Sequence, residues 1–293
     1  MSFILSTESN SEIPWQWEDE FDVKVLRMPY SIEGVEYYYD LGRQTDIKGF
    51  YDRMRGGATV TTAQRNPAEV VEFWTPFLEA GHDILHIAFS SALSGTFNCE
   101  QMARGELLEK YPGRKIILID TLAISAPLGQ LVRHAADMKA KGCTMEEIAE
   151  WVEANKQRSC ALFTVDKLEY LRRGGRVSGA AAFFGSMLEI KPVLYISSDG
   201  KLIPLEKVKG RKKALKYLVE KCAATIENAS EQVITICEAD CMEEARQLEE
   251  MVREKIAPKD IMINPVGPVI GSHCGPGTLA LVYFARSREE LNR

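Results

Sequence analysis

Three polar segments, of which the second and third contain glycine, hold the residues best suited to bind a ligand. The first polar segment, residues 59–64, precedes a helix, and the second, residues 90–96, directly follows an apolar strand. In the second segment, serine and threonine hydroxyls, together with free backbone N–H groups at the start of a helix, form a neutral donor set that suits a carboxylate or a phosphate. In an open α/β sheet, ligands lie beyond the carboxyl ends of the strands. The second segment has that position, which predicts an anion-binding site there.

The second and third segments also have simpler interpretations. In the second segment, Ser94 or Thr96 is a candidate helix cap with no ligand at all. The third polar segment, residues 267–278, carries four glycines, two prolines and His273. Because glycine tolerates positive φ and close backbone approach, this segment is typical of a nest around an anion. It is equally typical of a tight turn or β-bulge with His273 on the surface.

Other constellations of reactive side chains give weaker signals. His82 and His86 are four residues apart, but one falls in a turn and the other in a strand, so they do not share a helical face as zinc ligands. Cys237 and Cys241 flank a strand-to-helix turn without a nearby histidine, which argues against a metal or redox role. Ser94 is a candidate hydrolase nucleophile, although its segment lacks the Gly-x-Ser-x-Gly elbow.

Two basic stretches interrupt an otherwise acidic chain. They are residues 172–176, which end at Arg176, and residues 207–213, which include Arg211. Local charge of this density is able to bind a phosphate group or an acidic partner surface. The alternative is a solvated hairpin edge and helix start. Arg176, beside two glycines, favours the functional interpretation.

An apolar segment lies between the two basic stretches. Residues 178–190 combine small residues with large apolar ones. We interpret the segment as a buried helix or as the wall of an apolar pocket, where small residues leave room and methionine adapts to a ligand. Its candidate pocket residues are Phe183, Phe184, Met187 and Leu188.

The elements that must position these residues follow an α/β pattern. Near-continuous apolar runs at 84–89 and 115–119 are typical of parallel strands covered on both faces. After residue 160 the order changes to mixed strands and helices, so we predict a doubly wound parallel domain at 1–160 and a mixed α+β domain at 161–293. The predicted strands are 3–5, 23–28, 84–89, 115–119, 160–165, 192–196, 201–208, 232–238, 260–266 and 278–284, with a hairpin around 32–39. The predicted helices follow residue 66 and span 129–141, 145–158, 168–171, 211–225 and 242–255.

Composition narrows the class of protein further. The 293 residues are 45% hydrophobic and 27% charged, as in an ordinary globular protein, and the net charge of -6 argues against binding a nucleic acid. There is no signal-peptide pattern and no apolar run long enough to span a membrane, so we expect a cytoplasmic protein. Seven cysteines without a Cys-x-x-Cys pair indicate reduced, mostly buried thiols.

Taken together, these segments resemble the DegV family of bacterial fatty-acid-binding proteins, which includes the binding subunit of fatty acid kinase. The resemblance implies two α/β domains that enclose a fatty acid, whose carboxylate is held by Thr62 and Ser94 with Gly95 and His273 nearby. It implies no cofactor and no metal. The chain departs from the family pattern at Ala63, Ala92 and Cys274. The segments that carry the resemblance are residues 6–9, 61–64, 90–96, 168–176, 190–192, 199–200 and 267–278.

The resemblance also implies a separate kinase partner. No Walker A motif or kinase signature is present in the chain, so the partner would supply the ATP chemistry that makes an acyl-phosphate. Arg176 or His273 would then stabilise the added phosphate. Two alternatives stay open: an autonomous hydrolase or acyltransferase that uses Ser94 with His273, and a lipid sensor or storage protein without a kinase.

Overall fold

The computed structural model describes residues 2–177 and 190–292, and its amino-terminal half is built on a four-stranded parallel sheet. The strands are β1 (Phe3–Glu8), β2 (Val23–Leu26), β6 (Asp83–Ala88) and β7 (Ile116–Asp120). They lie in the order β2-β1-β6-β7. All six residues of β6 are buried, as its near-continuous apolar run predicts.

Helices cover both faces of this sheet. The helices of this half are α1 (Gln16–Glu20), α2 (Ile47–Arg55), α3 (Pro67–Glu79), α4 (Thr96–Lys110), α5 (Ser125–Ala140) and α6 (Met145–Asn155). Successive side chains of a strand point to opposite faces. Ile84 of β6 therefore packs in a core with Trp74 of α3, and the next residue, Leu85, packs in another with Leu128 of α5. This arrangement confirms the predicted doubly wound sheet.

A small antiparallel sheet carries the first polar segment. Its strands are β3 (Pro29–Ile32), β4 (Val35–Tyr38) and β5 (Val60–Thr62), in the order β4-β3-β5. The β3–β4 pair is the predicted hairpin, and its turn residues Glu33 and Gly34 both have positive φ. Strand β5 was not predicted. Pairing of Thr62 with Tyr30 fixes the position of the threonine on a strand rather than in a free loop.

The carboxyl-terminal half forms a six-stranded mixed sheet. Its strands are β8 (Ser159–Thr164), β9 (Ile190–Ile196), β10 (Leu202–Lys209), β11 (Val233–Glu238), β12 (Asp260–Pro265) and β13 (Leu279–Phe284). They lie in the order β10-β9-β8-β13-β11-β12, and β11–β12 is the parallel pair in it. The helices of this half are α7 (Leu168–Gly174), α8 (Arg211–Thr225), α9 (Met242–Ile256) and α10 (Pro268–Cys274). The mixed order confirms the predicted α+β character.

The two faces of the mixed sheet meet different surroundings. Leu162 of β8 packs in a core with Leu215 of α8 and Leu248 of α9. Its neighbour Phe163 points the other way, into the core that also holds Leu85 and Leu128 of the amino-terminal half. The space between the two sheets is thus lined by both halves. The predicted boundary at residue 160 stays a prediction.

The third polar segment is a helix, where we expected a loop or an anion nest. Residues Pro268–Cys274 form α10, which has proline in its first turn. Its glycines allow close packing: a Cβ on Gly267 would lie 2.1 Å from the ring of Tyr39, and one on Gly271 would lie 2.4 Å from the hydroxyl oxygen of Tyr51. The need for small residues at these aromatic contacts, and not an anion, explains both glycines.

The thiols agree with the prediction of reduced cysteines. All seven are free, and five of them are buried. Burial raises the pKa of Cys160 and Cys274 to about 12, which keeps these thiols protonated and unreactive near neutral pH. Separately, none of the helices in residues 2–177 and 190–292 has the length and apolar character needed to cross a bilayer.

Candidate functional site

A cavity lies between the parallel and the mixed sheets. Its volume is about 160 Å³, roughly ten times the space that one water needs. Most of its wall is apolar and comes from both halves of the chain. Representative apolar lining residues are Met28, Phe89, Ala161, Phe163, Ile196 and Val282.

Polar side chains predicted from the sequence line the same cavity. Thr62, Ser94, Gly95, Arg176 and His273 are all among its lining residues. The Oγ1 of Thr62 lies 2.8 Å from the Nε2 of His273, a hydrogen bond between residues 211 positions apart in the chain. The first, second and third polar segments therefore converge on one site.

His273 is uncharged near neutral pH. Burial, assisted by the positive charges of Arg176 and Arg173, lowers the pKa of His273 to about 4. Its Nδ1 is buried and has no hydrogen-bond partner among the described residues. A Cβ on Gly174 would lie 2.5 Å from this nitrogen, so the glycine at the end of α7 is needed for the imidazole to fit.

Ser94 lies on the cavity wall, immediately before α4. Its Oγ accepts a hydrogen bond from the backbone N–H of Thr96 at 3.2 Å, and the two hydroxyl oxygens are 3.0 Å apart. The N-cap of α4 is Gly95, and it has no side-chain cap, so neither Ser94 nor Thr96 is the N-cap residue. The amino terminus of this 15-residue helix lies beside the cavity and favours a negative charge there.

Gly95 makes room for a residue that sequence reasoning did not single out. A Cβ at this position would lie 2.0 Å from the Oε1 of Gln64, whose side chain also lines the cavity. The Nε2 of Gln64 donates to the Sγ of Cys99 at 3.3 Å. Close approach to Gln64 is therefore a second reason for glycine at 95, beside any contact between its amide and a ligand.

The two candidate arginines have different surroundings. Arg176 lines the cavity and donates to the carbonyl oxygen of Gly174 at 2.6 Å. Arg211 is not among the cavity residues. Its guanidinium donates to both carboxylate oxygens of Glu244, at 3.0 and 2.9 Å, and to the carbonyl of Gly277. The structure thus brings Arg176 to the site, whereas Arg211, at the start of α8, is held by Glu244 of α9 and by Gly277.

One further polar residue at the cavity was missed. Asn10 lines the cavity, and its buried Oδ1 has no hydrogen-bond partner in the described part of the chain. It belongs to residues 6–12, seven consecutive polar residues that are all buried. A polar run directly after an apolar strand was the available signal. The predicted pocket wall at Phe183, Phe184, Met187 and Leu188 falls outside the described residues.

Glu12, in the same run, holds the start of α10. Its Oε2 accepts hydrogen bonds from the backbone N–H of Gly267 at 2.9 Å and from the hydroxyl of Tyr39 at 3.2 Å. The carboxyl group is fully buried, and this burial raises the pKa of Glu12 to about 8. The helix that carries His273 is therefore anchored by an acid that is mostly protonated at neutral pH.

This anchor makes a testable contribution to the pH dependence of stability. An acid whose pKa is 4.5 when unfolded and about 8 when folded stabilises the protein fully at low pH, and the contribution is lost as pH rises through the folded value. We expect the free energy of unfolding to fall between about pH 5.5 and pH 8.5, and to fall less, by ~1 kcal/mol or more, in Glu12→Gln. Urea unfolding at both pH values measures this. Parallel pH profiles for the two proteins would contradict it.

The fold and the cavity define a class of protein: two α/β halves with an apolar cavity between their sheets and a cluster of polar side chains on its wall. The family model described as an uncharacterised protein of the DegV family matches residues 2–286. The chain belongs to the DegV family. This confirms the resemblance inferred from the polar segments.

Relatives match the chain from end to end. A DegV domain-containing protein of Clostridium perfringens is 44% identical and covers 98% of this chain, with 99% of its own length. A fatty-acid-binding DegV family protein of Streptococcus agalactiae has a solved structure that is 29% identical, with a TM-score of 0.85, covering 98% of this chain and 100% of its own. A fatty-acid-binding DegV family protein of Thermus thermophilus has a solved structure that is 28% identical, with a TM-score of 0.85. It covers 97% of this chain and 100% of its own length.

Proposed function

We propose that the protein binds one long-chain fatty acid, with its carboxylate at the polar cluster and its tail along the apolar wall. One observation carries the proposal. Thr62 and Ser94, which lie in separate polar segments and which the family resemblance indicates as carboxylate ligands, line a single cavity whose wall is otherwise mostly apolar. Fatty acid binding by the two solved relatives supports the same conclusion.

The polar cluster has the chemistry that a buried carboxylate needs. Burying such a charge is unfavourable unless several donors satisfy it. The hydroxyls of Thr62 and Ser94 each have a proton to donate, and the start of α4 adds its positive end. The neutral imidazole of His273 adjoins Thr62 and is able to orient its hydroxyl. Hydrogen bonds to a charged acceptor are about twice as strong as neutral ones.

The apolar wall accounts for affinity. Each buried methylene contributes about 0.8 kcal/mol, so a chain of about fifteen could gain on the order of 12 kcal/mol. Loss of translational and conformational freedom offsets much of this. Strong but reversible binding follows, with the tail supplying most of the free energy and the polar cluster fixing the direction.

A carrier that presents the carboxylate to a separate ATP-dependent kinase is the cytoplasmic role we propose. The absence of a Walker A motif or kinase signature from the sequence supports a partner as the source of ATP chemistry. Arg176, at the cavity wall, is placed to stabilise a phosphate added to the carboxylate. A carrier without a kinase is distinguished by affinity purification from the native host, which would then yield no ATP-dependent partner.

The geometry disfavours an autonomous serine hydrolase. The Nε2 of His273 is hydrogen-bonded to Thr62 rather than to Ser94. Its Nδ1 meets no orienting carboxylate among the described residues. With a pKa of about 4, the imidazole is also a weak general base.

Mass spectrometry under native conditions tests the binding proposal. Gently purified protein is expected to carry about one fatty acid per chain, and delipidated protein is expected to bind palmitate or oleate saturably. Absence of co-purified lipid, together with no saturable binding to the delipidated protein, would overturn it.

Cavity length should decide which chains fit. In β8, Thr164 pairs with Leu279, which follows shortly after the end of α10. Ala161 lies three residues before Thr164 in the same strand, and is therefore roughly 10 Å further from α10. A phenylalanine at Ala161 should shorten the space for the tail. We expect Ala161→Phe to weaken stearate binding ~10-fold or more and decanoate binding much less.

Competition binding with the two acids measures this difference in chain-length preference. Leu162→Phe is the matched control, because its side chain points to the opposite face of β8. Equal loss for both acids in Ala161→Phe, or the same change in Leu162→Phe, would show that the tail does not follow this wall.

A further inference from the structure

A second cluster of reactive side chains lies outside the cavity wall. It comprises Glu8 at the end of β1, His86 in β6 and Glu100 in α4, and all three are fully buried. One ligand atom from each residue lies within 4.8 Å of the other two. None of the three lines the cavity. The cluster is therefore a separate feature of the amino-terminal half.

The cluster leaves several strong acceptors without conventional partners. Neither carboxylate oxygen of Glu100 has a hydrogen-bond partner in the part of the chain that the structure describes. Glu8 accepts a bond from the backbone N–H of Phe89 through one oxygen, and its other oxygen has none. Buried polar atoms in folded proteins are almost always satisfied. A fully buried glutamate without a well-formed hydrogen bond, beside a second glutamate and an imidazole, points to a missing positive group.

His86 is oriented as a metal-binding histidine is. Its Nδ1 lies 2.8 Å from the Oγ of Ser6, which leaves Nε2 directed toward Glu100, 3.1 Å from Oε1. Histidines that ligate a metal through one nitrogen usually hydrogen-bond through the other. Ser6 is the residue that fixes the ring in this way.

We infer that Glu8, His86 and Glu100 bind a divalent transition-metal ion such as Zn²⁺ or Mn²⁺. Two carboxylates and one imidazole are a mixed oxygen and nitrogen set, which suits these ions better than Ca²⁺ or Mg²⁺. Two ligand atoms at ~2.1 Å from one ion lie at most ~4.2 Å apart. The three ligand atoms lie within 4.8 Å of one another, so small side-chain shifts bring them to this spacing.

Charge balance supports the same assignment. Two carboxylates and a divalent cation form a neutral unit, which is the form that a buried site favours. Without an ion, the two carboxyl groups would instead have to share protons.

The site would hold the start of α4 in place. Glu100 follows Gly95 by five residues, about 7.5 Å along the helix. An ion that joins this helix to β1 and β6 therefore fixes the helix end that adjoins the cavity. Because its ligands are fully buried, the ion would enter during folding.

Metal analysis of refolded protein tests the inference. Untagged protein is unfolded with a chelator present, refolded with Zn²⁺ or with Mn²⁺, desalted and analysed by plasma mass spectrometry. We expect about one ion per chain and a raised melting temperature relative to refolding without metal. Glu100→Gln should lower the metal content ~10-fold. Glu12→Gln, at another fully buried acid outside the cluster, should keep it.

Two outcomes would overturn the inference. If wild-type protein refolds fully without retaining either metal, the three side chains share protons and do not bind an ion. This result does not depend on whether any variant folds. Equal metal content in Glu100→Gln and wild type would place the ion elsewhere. For Mn²⁺, the electron paramagnetic resonance spectrum of bound ion should likewise disappear in Glu100→Gln and persist in Glu12→Gln.

Discussion

Long-chain fatty acid affinity is expected to fall ~100-fold or more when Thr62→Val and Ser94→Ala are combined. Both hydroxyls line the cavity, and each is expected to donate to the carboxylate. A hydrogen bond to a charged group contributes about 1.5–3 kcal/mol, and 1.4 kcal/mol corresponds to a tenfold change in affinity. Titration of delipidated protein with oleate measures the loss.

Two controls separate head-group recognition from damage to the fold. Oleyl alcohol, which has the same tail and no charge, should lose much less affinity in the double variant. Ser91→Ala alters an exposed serine of the same segment that does not line the cavity, and should bind oleate normally. Unchanged oleate affinity in the double variant would show that the carboxylate does not bind at this end of the cavity.

The largest loss of stability is expected from Arg288→Met. Arg288 is fully buried, and its guanidinium donates to the carbonyl oxygens of Lys156 and Ser159, each at 2.9 Å, and to that of Leu122. These carbonyls belong to the segments where the two halves meet. Burial lowers the pKa of Arg288 to about 10, so it remains charged at neutral pH.

Methionine preserves much of the volume but leaves the carbonyls unsatisfied. Each buried polar group without a partner costs about 1–3 kcal/mol, so we expect a loss of ~3–5 kcal/mol in the free energy of unfolding. Urea unfolding measures it. Arg286→Met is the matched control, since that side chain is 76% exposed and pairs only at the surface with Glu227; it should change stability by less than ~0.5 kcal/mol. Similar losses for both variants would argue against this role of Arg288.

Local sequence signals predicted most of the regular structure. The capping box of Thr144 and Glu147 and the proline after Asn66 mark helix starts that the structure confirms. A helix start was considered at Ser94 or Thr96, but the span of α4 was not predicted, because its buried face includes Thr96 and Glu100, which hide the apolar spacing. Its polar buried positions are the ones that serve the cavity end and the proposed metal site.

The candidate site was only partly predictable. Thr62, Ser94 and His273 were identified from hydroxyls and an imidazole in polar segments at element ends, together with the family resemblance. Arg176 lines the cavity, whereas Arg211 is hydrogen-bonded to Glu244. Arg211 and Glu244 are 33 residues apart, and no local sequence pattern indicates that they pair. Asn10 went unnoticed because a polar run after a strand is usually exposed.

Sequence alone determined the class of fold and the residue types at the site, because hydrophobic periodicity, caps and turn residues act over a few positions of the chain. Only the tertiary structure decided which other residues they contact. The hydrogen bond between Thr62 and His273, the helix formed by the third polar segment against Tyr39 and Tyr51, and the Glu8, His86 and Glu100 cluster all join distant parts of the chain. Such contacts depend on how the sheets and helices pack, and local spacing carries no record of that packing.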